Sequence, residues 1–184
     1  MFAVPLEDYI SFVKIEFQNN YDFIVMEEII DDVKQNTGDK IFWTYPIVNK
    51  LQEYDYSLVV RWAVECVQLF TPEYEPYNLA KIDKFLQQIV EELNKSNLTS
   101  DECRKIYQEV WYSPWREDAQ TAVTHLWWSI ANFKDGEESE AARGAGIAVE
   151  VILPDTKNHL LLDRYLEIAL RIYKKYQPQN PTCD

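Results

Sequence analysis

Apolar positions recur every three to four residues along most of the chain, and that period belongs to helices. The stretch 158–176 shows it most clearly. Leu161, Leu162, Tyr165, Leu166, Ile168, Ala169, Ile172, Tyr173 and Tyr176 fall on one side, with Asp163, Arg164, Glu167, Arg171, Lys174 and Lys175 on the other. Glu167 and Arg171 stand at i,i+4, where opposite charges meet. Lys174 and Lys175 suit the negative end of the helix dipole. Pro178 and Pro181 stop the helix and open a tail over 177–184. Residues 79–93 repeat the pattern with Leu79, Ile82, Phe85, Leu86, Ile89, Val90 and Leu93 inward. Over 57–70 the polar positions narrow to Arg61, Glu65 and Gln68, which predicts a central helix.

Capping and breaking residues set the remaining boundaries. A helix starts at Thr99 or Ser100, with Glu102 placed to help cap it. It carries Cys103, Ile106, Tyr107 and Val110 as far as Ser113-Pro114. Pro114 opens the next helix at its first position, over 114–133. Another spans 137–152 and is closed by Pro154. Upstream, 6–18 and 21–35 read as helices parted at Asn19-Asn20, with a break at Asn36-Thr37-Gly38. Ile41 to Pro46 has strand propensity, but one short run makes no sheet, so it reads as a connection or short helix. Thr71 to Tyr77 reads as a loop.

Only four glycines occur, too few to supply the tight hairpins of a β-sheet. Gly38 and Gly136 follow polar stretches where helices should end. Ala141, Gly144, Ala145 and Ala148 share one helical face, which lets two backbones approach closely. The expected fold is all-α: one domain over 1–184, with about seven or eight mostly antiparallel helices. Its centre is 57–70, packed by 79–93, 114–133, 137–152 and 158–176.

Charge narrows the partners. With 31 acidic and 18 basic side chains the chain carries a formal charge of −13. That opposes a phosphate backbone, whose binding draws on Lys and Arg, so no nucleic-acid partner is expected. It suits a basic protein partner through steering, or solubility alone. No apolar run approaches the roughly 20 residues that span a bilayer, and the N-terminus lacks a basic start with a long apolar segment. Cys66, Cys103 and Cys183 are odd in number and lack metal-like spacing, so reduced thiols in a cytoplasmic protein are expected.

Candidate chemistry is sparse. Glu27, Glu28, Asp31 and Asp32 form two carboxylate pairs at i,i+4, a donor type that divalent cations take. Glu28-x-x-Asp31 imitates one half of the paired motif of helical nucleotide pyrophosphatases. Glu137 to Glu140 would supply the other half, far downstream and in reversed order. A solvated acidic face is the simpler account. Neither His125 nor His159 has a glutamate three residues before it, which disfavours a di-iron centre. Cys66 lies on the buried-looking helix. Cys103, beside Arg104 and Lys105, could have a mildly activated thiol but shows no base. Gly144-Ala145-Gly146 matches no phosphate loop, and no cofactor motif is present. Trp128 points away from the inward stripe Trp115, Ala119, Ala122, Val123, Leu126, Ile130 and Phe133, with Trp127 at its flank. It reads either as a second packing layer or as an aromatic anchor for a partner. Glu73, Tyr74, Glu75 and Tyr77 mix acid and aromatic character in the predicted loop.

Three pieces carry a family likeness over about half the chain, 58–152. They are Trp62-Ala63-Val64-Glu65-Cys66-Val67, the acidic proline-containing loop through Pro76 with the helix from Leu79, and the small-residue helices with Ala119, Ala122 and Ala141 to Ala148. Together they resemble a group of bacterial all-helical immunity proteins, the immunity-five-like group of polymorphic toxin systems. Trp127 and Trp128 depart from the group, which has small residues there, and residues 1–56 have no counterpart. The resemblance implies an all-α, non-enzymatic protein that binds another protein, such as a basic toxin domain. The expected function is therefore a cytoplasmic protein-binding module of the immunity type, with Glu73, Tyr74, Glu75, Tyr77 and Trp128 as its contacts. The alternatives are a metal-dependent helical hydrolase using Glu27, Glu28, Asp31 and Asp32, and an oligomeric scaffold with Trp128 in a self-interface.

Overall fold

The computed structural model describes residues 25–35, 43–113, 117–153 and 158–176. Eight α-helices cover them: α1 (Met26–Gln35), α2 (Tyr45–Gln52), α3 (Tyr56–Tyr74), α4 (Leu79–Lys95), α5 (Ser100–Trp111), α6 (Asp118–Lys134), α7 (Glu138–Ile152) and α8 (His159–Tyr176). A 3₁₀ turn, Pro76–Asn78, links α3 to α4. No strand occurs among the described residues, and the chain has the all-α fold its periodicity predicts. The expected segment 6–18, the start of 21–35, the break at 36–38, Pro114 and Trp115, Pro154 and the tail 177–184 lie outside the described residues.

Helix α3 is the centre, packed by α2, α4, α6, α7 and α8. Asp55, in extended backbone, accepts the Ser57 N–H at 2.6 Å and caps its start. Val59, Val60, Trp62, Ala63, Cys66 and Val67 are buried. The Trp62 indole donates to the Tyr165 carbonyl of α8 at 2.9 Å, and the Trp43 ring meets it edge-on at 6.3 Å. The helix does not stop at Phe70; it runs through Thr71 and Pro72 to Tyr74. Pro72 lacks only the N–H that would reach Gln68, an exposed residue whose carbonyl water can satisfy. The buried Thr71 hydroxyl donates to the Val67 carbonyl, and Tyr74 stacks on Phe70 at 4.7 Å. These contacts hold the last turn.

The small residues of α7 let it sit between two neighbours. A Cβ on Gly144 would lie 2.6 Å from Trp128 of α6, and one on Gly146 would lie 2.9 Å from Val48 of α2. Ser129 of α6 donates to the Ala141 carbonyl at 2.6 Å, so the Tyr56 hydroxyl, 2.6 Å from Ser129, donates to it in turn. That chain ties α3, α6 and α7 through buried polar atoms. Between α6 and α7 the backbone reverses at Gly136, whose φ of +83° is open to glycine at no steric cost.

Thr99 and Glu102 form the expected capping box at the start of α5. Three side-chain expectations are corrected. Trp127 is not at a flank but fully buried, and Phe133 is partly exposed, stacked on Tyr56 at 4.1 Å. Arg171 pairs with Glu65 across the α3–α8 contact, not with Glu167 along its own helix.

Candidate functional site

The C-terminal end of α3 joins three other segments. Asn78, in the 3₁₀ turn, donates its side-chain N–H to the Glu117 carboxylate just before α6. Glu75 accepts the Ala119 N–H, with its oxygens at 3.1 and 3.3 Å. It thereby satisfies one of the backbone donors left open at the start of α6, where Glu117 makes no side-chain cap. Gln120, one residue on, donates to the Val110 carbonyl at 2.5 Å and the Ser113 carbonyl at 3.4 Å. The ends of α3 and α5 and the start of α6 are therefore one bonded unit.

Large aromatic side chains stand in water on that unit. Tyr77 is 97% exposed, Tyr112 80% and Trp111 51%. Tyr74 is also exposed, and its hydroxyl accepts from the Asn158 amide at 3.1 Å. Glu73 faces Arg164 of α8 at 3.4 Å. Burial pushes the Glu75 carboxyl up to about 7; the Ala119 N–H opposes that, while Glu117 and Asp118 reinforce it. This end thus combines crowded carboxyl groups with solvent-facing rings.

Four of the five predicted contacts, Glu73, Tyr74, Glu75 and Tyr77, are brought together here. Trp128 is not among them. It lies nine residues beyond Ala119 on α6, about 14 Å by helical rise. There it is half-buried with its ring over Gly144. Sequence reasoning passed over Trp111, Tyr112 and Glu117. A signal existed for the first two, since they follow Val110 out of phase with the inward stripe of α5.

The other candidates are dispersed. On α1, Met26, Ile29, Ile30 and Val33 turn inward, leaving Glu27, Glu28 and Asp31 exposed. Glu27 pairs with Lys174 at 3.0 Å, and that bond holds its carboxyl below the usual range. Among the described residues no three His, Cys, Asp or Glu side chains gather as a metal site. Cys103 is not activated: burial pushes its thiol up to about 11. Cys66 is fully buried, and the same cause holds its thiol well above the usual range. Burial, then Arg143, lowers His125, which is therefore neutral at pH 7. His159 is exposed. No described helix is long and apolar enough to cross a membrane. No family model matches the chain, and neither a curated protein nor a solved structure is significantly similar to it.

Proposed function

We propose that the chain is a non-enzymatic protein-binding module of the immunity type, acting in the cytoplasm on a basic partner domain. The observation that carries it is that the bonded ends of α3 and α5 and the start of α6 carry exposed Tyr77, Trp111 and Tyr112 together with the acids Glu73, Glu75, Glu117 and Asp118. Tyrosine and tryptophan are the residues enriched where interfaces concentrate their energy. The carboxylates supply attraction to a basic surface, and the overall charge of −13 adds long-range steering. The mechanism is occlusion, with no bond made or broken. Trp128, seated on α7, serves the packing of the scaffold in this reading. A hydrolase built on the α1 acids is less well supported, because Glu27 is already engaged by Lys174.

The test is capture of partners from lysate of the source cell with the native chain and a Glu73→Ala/Tyr77→Ala/Tyr112→Ala variant. One stoichiometric basic protein, lost with the variant and weakened by added salt, is the expected result. Equal capture by both forms, or no partner for either, overturns the assignment.

A further inference from the structure

The bonded end of α3 holds carboxyl groups without a cation of their own. Glu75 at the end of α3 meets Glu117 and Asp118 at the start of α6. Among the described residues no Lys or Arg pairs with any of the three. Glu73, only two residues before Glu75, does face Arg164. Glu75 also lies within hydrogen-bonding reach of Glu117, and two carboxylates so placed repel each other unless they share a proton. The Ala119 N–H on Glu75 and the Asn78 amide on Glu117 offset part of that charge.

Acceptors outnumber donors across the same unit. Gln120 commits its side-chain N–H groups to the Val110 and Ser113 carbonyls, and its Oε1 is buried without a partner. A cation rich in donors is what these groups lack.

The rings narrow the choice of cation. Tyr77 precedes Asn78, so its ring, almost wholly in water, rises from backbone pinned to Glu117. Trp111 and Tyr112 add exposed ring surface at the end of α5, beside the carbonyls that Gln120 holds. A lysine ammonium is a compact charge that holds its water tightly. A guanidinium is planar and more weakly hydrated. Its edge carries five N–H donors, enough to serve carboxylates from two elements, while its face stacks on an aromatic ring.

We infer that the partner is read through an arginine, its guanidinium edge bonded to Glu75 and Glu117 and its face on the Tyr77 ring. The inference rests on the protein-binding reading above and adds to it the side chain recognised.

NMR titration of the ¹⁵N-labelled full chain tests it. The probes are acetyl-Gly-Gly-Arg-Gly-Gly-amide and its counterparts with lysine or the neutral isostere citrulline. The Ala119 backbone N–H, which bonds Glu75, and the Asn78 side-chain amide, which bonds Glu117, are the reporters. The arginine peptide is expected to shift both saturably, the lysine peptide to bind about threefold more weakly or worse, and the citrulline peptide not to saturate. Tyr77→Ala removes a ring that nothing covers, so the fold is kept, and it should erase the preference for arginine over lysine. Glu117→Gln keeps an acceptor for Asn78 and should weaken arginine binding at least as much. Equal binding of lysine and arginine, or an unchanged preference in Tyr77→Ala, overturns the inference and leaves a basic partner standing. Saturable citrulline binding, or no saturable shift with arginine, overturns it too; capture of a basic protein from lysate then decides the broader reading by itself.

Discussion

Adding one methyl group at Gly144 tests how the small-residue helix is seated. A Cβ there would meet Trp128 Cε3 at 2.6 Å, Trp128 Cζ3 at 2.8 Å and the Ser129 Cβ at 3.2 Å. Two effects of opposite sign compete. Alanine is the better helix residue by about 1 kcal/mol, whereas overpacking a close contact costs about 1–3 kcal/mol. The indole is rigid and half-buried, so it cannot swing aside as a flexible chain end could. Gly144→Ala is therefore expected to destabilise the protein by up to about 2 kcal/mol, or roughly 2–4 °C in melting temperature per kcal/mol. In a Trp128→Leu background most of the clash is gone and the same change should become stabilising, by up to about 1 kcal/mol. The coupling energy from urea denaturation of both single variants, the double variant and the native chain should be about 1–3 kcal/mol. Additive effects within about 0.5 kcal/mol, or a stabilising Gly144→Ala in the native background, would refute the packing argument.

Two further changes probe buried charge. Glu92, 5% exposed, accepts the Asn97 and Leu98 N–H groups and pairs with Lys134 at 2.6 Å; Lys134→Met leaves that carboxylate buried without its cation and should cost about 3 kcal/mol in chemical denaturation, a loss under 0.5 kcal/mol arguing that water reaches the pair. Burial raises the Glu150 carboxyl to about 7, against bonds from Thr44 that include its hydroxyl at 2.6 Å; the folded state then holds a proton that the unfolded chain releases near 4.5, so this group's contribution is full below about 4.5 and is lost as pH rises to about 7. Glu150→Gln keeps an acceptor for Thr44 and should raise stability at pH 8 by about 1–3 kcal/mol relative to pH 4, whereas an identical pH profile for both proteins would remove Glu150 as the cause.

Much of the architecture was legible because the long helices carry their own periodicity. Leu161 to Tyr173 in α8 and Ile82 to Ile89 in α4 bury the faces their spacing predicts. Thr99 and Glu102 marked the start of α5 by the chemistry of the cap itself. Helix α2 was harder, since Pro46, Ile47, Val48, Lys50 and Leu51 are buried among its eight residues and leave little polar face to set a period. Pro72 misled because a proline in a last turn removes one bond from a carbonyl that water can serve, not from the helix interior. In the candidate surface, Glu73, Tyr74, Glu75 and Tyr77 lie close in sequence and could be grouped by eye. Trp111 and Tyr112 join them only through Gln120 bonding the end of α5, a tertiary fact with no local signature. The same holds for Trp128, whose direction on the helix was readable but whose neighbour Gly144 was not.

On the proposed protein-binding role, the way this surface is held decides where its binding energy should lie. Association costs the ordering of side chains, so groups already fixed in the free protein contribute more of their gross contact energy. Glu75 is fixed by the Ala119 N–H, and Tyr74 by its stack on Phe70 and the Asn158 bond. Trp111 is half-covered at the end of α5, whose carbonyls Gln120 anchors. Tyr77 has nothing over its ring, although its turn is pinned by Asn78 to Glu117. A tyrosine ring has only two torsions to lose, so the cost of docking it is small beside that of a lysine or glutamate. Trp111 and Tyr74 should then form the centre of the contact, with Tyr77 and Tyr112 closing over the partner. Glu73, already facing Arg164 in water, should act on the rate of encounter more than on the lifetime of the complex. A rim charge and an anchored ring therefore separate by kinetics: Glu73→Ala should slow association and Trp111→Ala should speed dissociation.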